Sequence, residues 1–224
     1  MHRVAAREGR FGFGLYTFFR SGTSRRLRIA LNLKRLTYEQ MAVDLRREQH
    51  LTAEYRAVNP QQLVPALEVD GLVMTQSPAI IEWLDERYAD PPLLPAEAGG
   101  RAQVRALAAI VGCDIHPVNN RRILEVLRHR FGADESAVND WCGTWIAAGF
   151  DAFEALVAAQ GRPGPFAFGQ QLTLADVYLV PQIESARRFK VDLTRWPRLL
   201  GIDEACGLLE GFRRAAPAGQ PDAG

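Results

Sequence analysis

Hydroxyl side chains are concentrated at one turn near the N-terminus. In the stretch LYTFFRSGTSRRLRIAL (15–31), a short apolar run stops at Ser21, Gly22, Thr23 and Ser24, and apolar residues then recur with helical spacing. The N-terminus of a helix presents unpaired N–H groups and the positive end of the helix dipole, which favour a negative charge. A strand that leads into such a helix therefore predicts an anion site, lined here by hydroxyls rather than by a nucleophilic cysteine.

Two later segments could bind a ligand. Val64 precedes Pro65 before a predicted strand. A cis bond there would turn the backbone N–H and C=O of Val64 toward an extended peptide, whereas a trans bond would make an ordinary turn. Ser77 is predicted to cap a helix whose free N–H groups could bind a carboxylate, and Gln76 could add an amide contact. An ordinary structural cap is the alternative for Ser77.

Polar residues crowd the segment CDIHPVNNRRIL (113–124), in which Pro117 should interrupt a helix. They are Asp114, His116, Asn119, Asn120, Arg121 and Arg122. Their density within an apolar helical stretch indicates a cleft, with a structural histidine as the alternative for His116. No second ligand pair follows Cys113 and His116 at zinc spacing, so no metal site is predicted.

The net charge and the cysteine content indicate which ligands and which cellular compartment are expected. The 224 residues include 27 Lys and Arg against 26 Asp and Glu, a net charge of +1, which argues against nucleic-acid binding driven by bulk charge. The three separated cysteines predict a reducing cytosol, with each cysteine a small buried hydrophobe. Neither a run of about 20 apolar residues nor a secretory signal is apparent, so a cytoplasmic protein without a membrane span is expected.

The order of elements predicts two domains. Strand and helix patterns alternate in the first part, with an Asp70-Gly71 hairpin, and indicate a small mixed sheet with helices on its faces. Strands are expected at 13–19, 37–43, 66–69 and 72–75, and helices at 23–34 and from Ser77. Helical patterns follow at 101–115, 120–131, 135–160, 174–189 and 198–215. Thr173 and Asp176 form a capping box before the fourth of these helices, a purely structural feature.

The resulting domain plan has five parts. It consists of an N-terminal extension (1–12), an α/β domain (13–90), a linker rich in Pro and Gly (91–100), an all-helical domain (101–216) and a disordered tail (217–224).

Taken together, these motifs resemble the cytosolic glutathione transferases of the zeta class. The resemblance runs over nearly the whole chain and rests on FRSGTSRRLRIAL, NPQQLVPAL, QSPAIIEWL and CDIHPVNNRRIL. It implies a thioredoxin-like N-terminal domain, an all-α C-terminal domain, a homodimer and glutathione as cofactor. Related redox proteins keep a C-x-x-C at this turn, where Ser21 and Ser24 stand here, because glutathione brings the thiol.

The resemblance also implies roles for individual residues. Ser21 or Thr23, in the turn that contains Gly22, contacts the glutathione sulfur. Val64 pairs with the glutathione backbone, and His50 lies near its glycyl end. The γ-glutamyl carboxylate is held by Gln76 and Ser77, and the pocket is completed by Asp114, His116, Asn120, Arg121 and Arg122. Many zeta enzymes have S-S-C-S where this chain has S-G-T-S, so Thr23 replaces a cysteine.

The activity implied is a glutathione-dependent cis-trans isomerisation of maleylpyruvate or maleylacetoacetate, by reversible thiolate addition. The substrate is a small dianionic cis-enone, and Arg20 and Arg188 match family arginines that suit its carboxylates. Arg187 and Arg188 are adjacent on a helix and point in different directions, so one could be solvated. At least one of the arginines at 25, 26 and 28 is expected on a solvated face. The alternatives are glutathione conjugation to small electrophiles such as haloacids, and a non-catalytic binding module.

Overall fold

The computed structural model describes residues 12–223 of the chain. These residues form two compact units. The first runs to Pro91 and also includes the chain from Glu210 onward, whereas the second is Pro92–Leu209.

The first unit is built on a four-stranded sheet in the order β2-β1-β3-β4. The strands are β1 (Phe13–Thr17), β2 (Tyr38–Ala42), β3 (Ala66–Val69) and β4 (Leu72–Thr75). The β1 and β2 strands are parallel, and the other two pairings are antiparallel. The helices are α1 (Gly22–Leu33), α2 (Ala53–Val58), α3 (Ser77–Arg87) and α9 (Glu210–Arg214).

The core of this unit lies where α1 and α3 meet. Leu15 of β1 and Leu67 of β3 are fully buried, as are Leu27 of α1 and Ile80 of α3. The predicted hairpin turn is confirmed, because Asp70 and Gly71 both have positive φ angles (49° and 80°) and join β3 to β4. This conformation suits the type I′ turns that favour Asp-Gly.

The second unit consists mostly of helices. They are α4 (Ala98–Ala109), a π-helical segment (Ile110–Ile115), α5 (Arg121–Phe131), α6 (Glu135–Ala159), α7 (Leu174–Arg188) and α8 (Pro197–Gly207). As predicted, the helix is interrupted around Pro117. The capping box at the start of α7 is also confirmed: the buried Asp176 carboxylate accepts hydrogen bonds from the Thr173 N–H (2.7 Å) and the Ala167 N–H (2.8 Å).

Several boundaries differ from those expected. The first turn of α4 lies inside the predicted linker, because Glu97 accepts hydrogen bonds from the N–H groups of Gly99 and Gly100 and starts a helix there. The single helix expected at 198–215 is two helices, α8 and α9, and α9 belongs to the first unit. The predicted N-terminal extension, apart from Gly12, lies outside the described residues.

The expectation of a disordered tail is wrong for residues 217–223. A 3-10 turn occupies Pro217–Gly219, and Gln220 is buried, with its side-chain amide donating to the carbonyls of Arg214 and Ala216. The Asp222 carboxylate accepts a hydrogen bond from the Phe19 N–H (2.9 Å). These polar contacts order a segment whose composition alone predicts disorder.

One helix among residues 12–223, α6, is long and apolar enough to cross a membrane by length and composition. It is weak evidence for a membrane span, because core helices of soluble proteins pass the same test. One face of α6 is packed into the second unit, with Ile146, Phe150 and Phe153 fully buried.

Candidate functional site

The strand-to-helix turn presents two hydroxyls that contact each other. The Ser21 N–H donates to the Phe18 carbonyl (3.0 Å), and the Ser21 side chain caps α1 by accepting from the Ser24 N–H (3.2 Å). Thr23 donates its hydroxyl hydrogen to the Val64 carbonyl (2.9 Å), and the two hydroxyl oxygens are 2.9 Å apart. Because Thr23 has one hydroxyl hydrogen, the hydrogen between the two oxygens comes from Ser21.

The structure therefore brings together Ser21, Thr23 and Val64, three residues to which the resemblance gives roles in glutathione binding. Val64 is nearly buried, and its peptide bond to Pro65 is cis. The preceding carbonyl, that of Leu63, accepts hydrogen bonds from the Tyr55 hydroxyl and the Asn59 amide, both at 2.7 Å. The Val64 backbone is thus held beside the turn from two sides.

The start of α3 differs slightly from its expected form. The N-cap position is Gln76, which has a φ of 68°, and Ser77 is the first helical residue, so the predicted Ser77 cap is wrong by one residue. Ser77 is buried, and the Gln76 amide donates to the Gln61 side-chain oxygen. Gln61 was not predicted as a site residue, although it lies in the same NPQQLVPAL segment as Val64.

The three α1 arginines differ in exposure. Arg26 and Arg28 are buried, so of the three only Arg25, which is half-buried, can contribute to the expected solvated face. Loss of hydration lowers the pKa of Arg28 to about 10, which still leaves it protonated at neutral pH. Arg20, in the turn itself, is exposed and could meet a ligand.

Of the remaining first-unit candidates, His50 lies in the 3-10 turn Gln49–Leu51 and is partly exposed. Its place near the glycyl end of glutathione stays a prediction. Cys142 and Cys206 are buried as expected, but Cys113 is exposed, so the expectation of a buried hydrophobe is wrong there.

The other predicted residues lie in the second unit, in the stretch 114–122 and at the end of α7. Asp114 is exposed in the π-helical segment, and His116 is the first residue after that segment. Asn120 caps α5 by accepting from the Arg122 N–H (3.2 Å), and Arg121 lies 3.9 Å from Glu125. At the end of α7, Arg188 donates to the Ser185 hydroxyl (3.2 Å), whereas Arg187 pairs with Asp203 (2.6 Å).

A groove of about 680 Å³ in the second unit contains none of these residues. It lies between the first half of α6 and the segment after α7, and includes Asp140, Lys190 and Arg195 in its lining. Its side chains are of mixed charge and do not select a ligand class.

Comparison with known proteins places this arrangement in a family. Residues 15–92 match the model of the glutathione S-transferase N-terminal domain, and residues 123–214 match that of the C-terminal domain. A maleylpyruvate isomerase from Ralstonia sp. is 66% identical over 208 residues, which cover 93% of this chain and 98% of the relative. A maleylacetoacetate isomerase from Pseudomonas aeruginosa is 48% identical over 211 residues, covering 93% and 97%.

A solved structure is also similar to this chain in both sequence and fold. It is a holo maleylpyruvate isomerase, described as a bacterial glutathione S-transferase of the zeta class, and is 65% identical with a TM-score of 0.93. The match covers 94% of this chain and 100% of that one. The chain therefore belongs to the glutathione S-transferase family and, within it, to the zeta class.

Proposed function

We propose that this chain is a glutathione-dependent cis-trans isomerase that converts maleylpyruvate to fumarylpyruvate. The observation that carries the choice of substrate is the 66% identity to a maleylpyruvate isomerase, against 48% to a maleylacetoacetate isomerase of similar coverage. Glutathione acts as a cofactor, because the thiol that adds to the substrate is released again.

The first unit fits glutathione. The Ser21 hydroxyl can donate to a sulfur, and the Val64 backbone lies beside it at a cis peptide, where an extended peptide can pair. The buried Ser77 begins an 11-residue helix whose unpaired N–H groups suit a carboxylate. Gln76 is held at this helix end by Gln61, so its amide can complete the carboxylate site.

Ser21 is our choice for the sulfur contact. Thr23 already donates its only hydroxyl hydrogen to the Val64 carbonyl, whereas the Ser21 hydroxyl has only Thr23 as its acceptor in this arrangement. The Ser21 hydrogen can rotate to a ligand while Thr23 keeps its bond. The Ser21 hydroxyl and the N-terminus of α1 both favour a thiolate over a thiol at this position.

Bound glutathione supplies a thiolate that adds reversibly to the cis double bond, so that the bond can rotate before the thiolate leaves. The protein must meanwhile hold a dianion and stabilise negative charge on the conjugated carbonyl oxygen. We assign these tasks to Arg20 and Arg188, because the guanidinium fork matches a carboxylate.

Arg20→Ala and Arg188→Ala are each expected to lower kcat/KM for isomerisation about 10- to 100-fold, the effect of losing a hydrogen bond to a charged group. Conjugation of glutathione to a neutral electrophile should change little, because it needs no carboxylate partner. Steady-state kinetics on both reactions measure the difference. Arg187→Ala is the matched control, since Arg187 pairs with Asp203 instead. Equal losses in both reactions would assign the arginines to glutathione binding.

The test of the proposed function is an absorbance assay of cis-to-trans conversion with fresh maleylpyruvate and maleylacetoacetate, each with and without glutathione. Glutathione-dependent turnover with a higher kcat/KM for maleylpyruvate is expected. A higher value for maleylacetoacetate would reassign the substrate. Absence of turnover on both, with glutathione still bound, would overturn the isomerase and leave conjugation of small electrophiles such as haloacids.

We also propose that the enzyme acts as a cytoplasmic homodimer in aromatic-compound catabolism, in a gentisate pathway if maleylpyruvate is the substrate. The zeta-class membership and the scattered free cysteines support this proposal. Light scattering of the purified protein tests the dimer. A neighbouring gene for a gentisate dioxygenase, rather than a homogentisate dioxygenase, would support the pathway.

A further inference from the structure

The C-terminal segment (210–223) is hydrogen-bonded to the rest of the first unit at several points. Asn32 of α1 donates to the Gly211 carbonyl (3.0 Å), and Gln40 of β2 donates to the Gln220 side-chain oxygen (3.1 Å). Gln220 is buried and Ala223 packs near Phe18 and Phe19. The segment therefore ends against the turn that contains Ser21.

Two charged side chains bind the backbone of this turn. The Phe19 N–H donates to the Asp222 carboxylate (2.9 Å), while the Arg28 guanidinium donates to the carbonyls of Phe19 (3.0 Å) and Phe18 (3.4 Å). Arg28 is itself fixed, since it also donates to the Ala215 carbonyl and to the Thr17 hydroxyl (2.9 Å). Arg28 thus bonds both the turn and the C-terminal segment.

These bonds fix two consecutive peptide groups. The Phe18–Phe19 peptide is held by Asp222 at its N–H and by Arg28 at its carbonyl, and the next peptide is held by Arg28 at the Phe19 carbonyl. The same Phe18 carbonyl accepts from the Ser21 N–H and closes the turn. The backbone conformation that aims Ser21 therefore depends on groups outside the turn.

The two oxygens of the Asp222 carboxylate have different surroundings. Its second carboxylate oxygen is buried and has no hydrogen-bond partner among residues 12–223. Arg28 and Arg46 both interact electrostatically with Asp222, and the Arg46 guanidinium also lies over the rings of Phe18 (5.7 Å) and Phe19 (5.3 Å). Leaving one carboxylate oxygen buried without a partner is unfavourable, and the hydrogen bond of the other oxygen to the turn offsets part of that cost.

We propose that Asp222 is a positioning residue, whose carboxylate holds the Phe18–Ser21 turn so that the Ser21 hydroxyl is aimed at the glutathione sulfur. The inference rests on the proposed glutathione site. Catalytic rates are sensitive to displacements of about 1 Å at the reacting groups. A turn released at Phe19 would let Ser21 move by such an amount without unfolding the domain.

The variants Asp222→Ala and Asp222→Asn distinguish the effect of holding the turn in position from the effect of the negative charge. Asparagine keeps a side-chain oxygen for the Phe19 N–H but removes the negative charge, whereas alanine removes both. The first readout is the thiol pKa of bound glutathione, titrated through the ultraviolet absorbance of the thiolate. The second is kcat for isomerisation. Asn32→Ala is the control, because it loosens the same C-terminal segment at Gly211 without touching the turn.

We expect Asp222→Ala to raise the bound thiol pKa by about one unit and to lower kcat about tenfold. Asp222→Asn should retain most of kcat and leave the thiol pKa unchanged or slightly lower, and Asn32→Ala should affect stability alone. Equal lowering of the thiol pKa by both Asp222 variants would show an effect of charge only and overturn the proposal. An unchanged thiol pKa and kcat in Asp222→Ala would do the same.

The titration uses glutathione without substrate, so it tests positioning even if the wild-type protein turns over neither dianion. Failure of the isomerase assay would thus overturn the proposed function alone. A shift in thiol pKa confined to Asp222→Ala would still support the positioning role.

Discussion

Replacing Ser21 with alanine is expected to lower kcat/KM for isomerisation about 100-fold. The expected loss is that of a preorganised hydrogen-bond donor to a charged reacting group, for which factors of about 10² to 10³ are typical. Ser21 is the hydroxyl whose hydrogen is available, because that of Thr23 is bound to the Val64 carbonyl. Steady-state kinetics and a titration of the bound glutathione thiol, whose pKa should rise, measure the effect.

Two further variants make this prediction specific. Ser21 also caps α1, so alanine there costs about 1 kcal/mol of stability, whereas glycine costs only a few tenths. Ser21→Gly should therefore match Ser21→Ala in activity while unfolding at a higher temperature. Thr23→Val keeps the shape of Thr23 and should reduce kcat/KM only a few-fold. A large loss in Thr23→Val with a small one in Ser21→Ala would reverse the assignment.

Local sequence signals predicted the first-unit elements that carry this site. The Asp-Gly turn fixes the β3–β4 hairpin because both residues adopt positive φ angles, and the expected strand bounds at 66–69 and 72–75 match the structure. At the hydroxyl-rich turn, the helix expected from residue 23 begins one residue earlier, at Gly22, because the Ser21 side chain caps it.

Long-range polar contacts could not be read in this way. Arg28 falls in a helix where arginines normally reach solvent, yet it is fully buried because the Thr17 hydroxyl of β1 and the carbonyls of Phe19 and Ala215 accept hydrogen bonds from its guanidinium. Asp222 lies in a tail whose Pro, Gly and Ala content predicts disorder. Its partner, the Phe19 N–H, is 203 residues away in sequence. Neither contact leaves a periodic signal.

Asp176→Ala is expected to lower the free energy of unfolding by about 2–5 kcal/mol. Alanine leaves the buried N–H groups of Ala167 and Thr173 without an acceptor, and each unsatisfied group costs about 1–3 kcal/mol. For a chain of this length the melting temperature should fall by about 10 °C. Calorimetry or thermal denaturation followed by circular dichroism measures the change.

The control for Asp176 is another helix cap in the same unit. Asp134 accepts the Ala137 N–H at the exposed start of α6, so Asp134→Ala should cost only about 1 kcal/mol. Similar losses in the free energy of unfolding for the two variants would show that burial of the Asp176 hydrogen bonds adds nothing to stability.

The pH dependence of the same residue gives a second test, with a defined sign. Burial raises the pKa of the Asp176 carboxyl from 3.8 to about 6, because loss of hydration outweighs the hydrogen bonds it accepts. The folded state then binds the proton more tightly than the unfolded chain. This tighter proton binding adds to the free energy of unfolding. The gain is complete below pH 3.8 and is lost as the pH rises through about 6. Asp176→Asn does not titrate, so the stability difference between wild type and this variant should shrink over that range. A difference that grows with pH would show that the hydrogen bonds keep the carboxylate ionised, and the stabilising form would then be the anion.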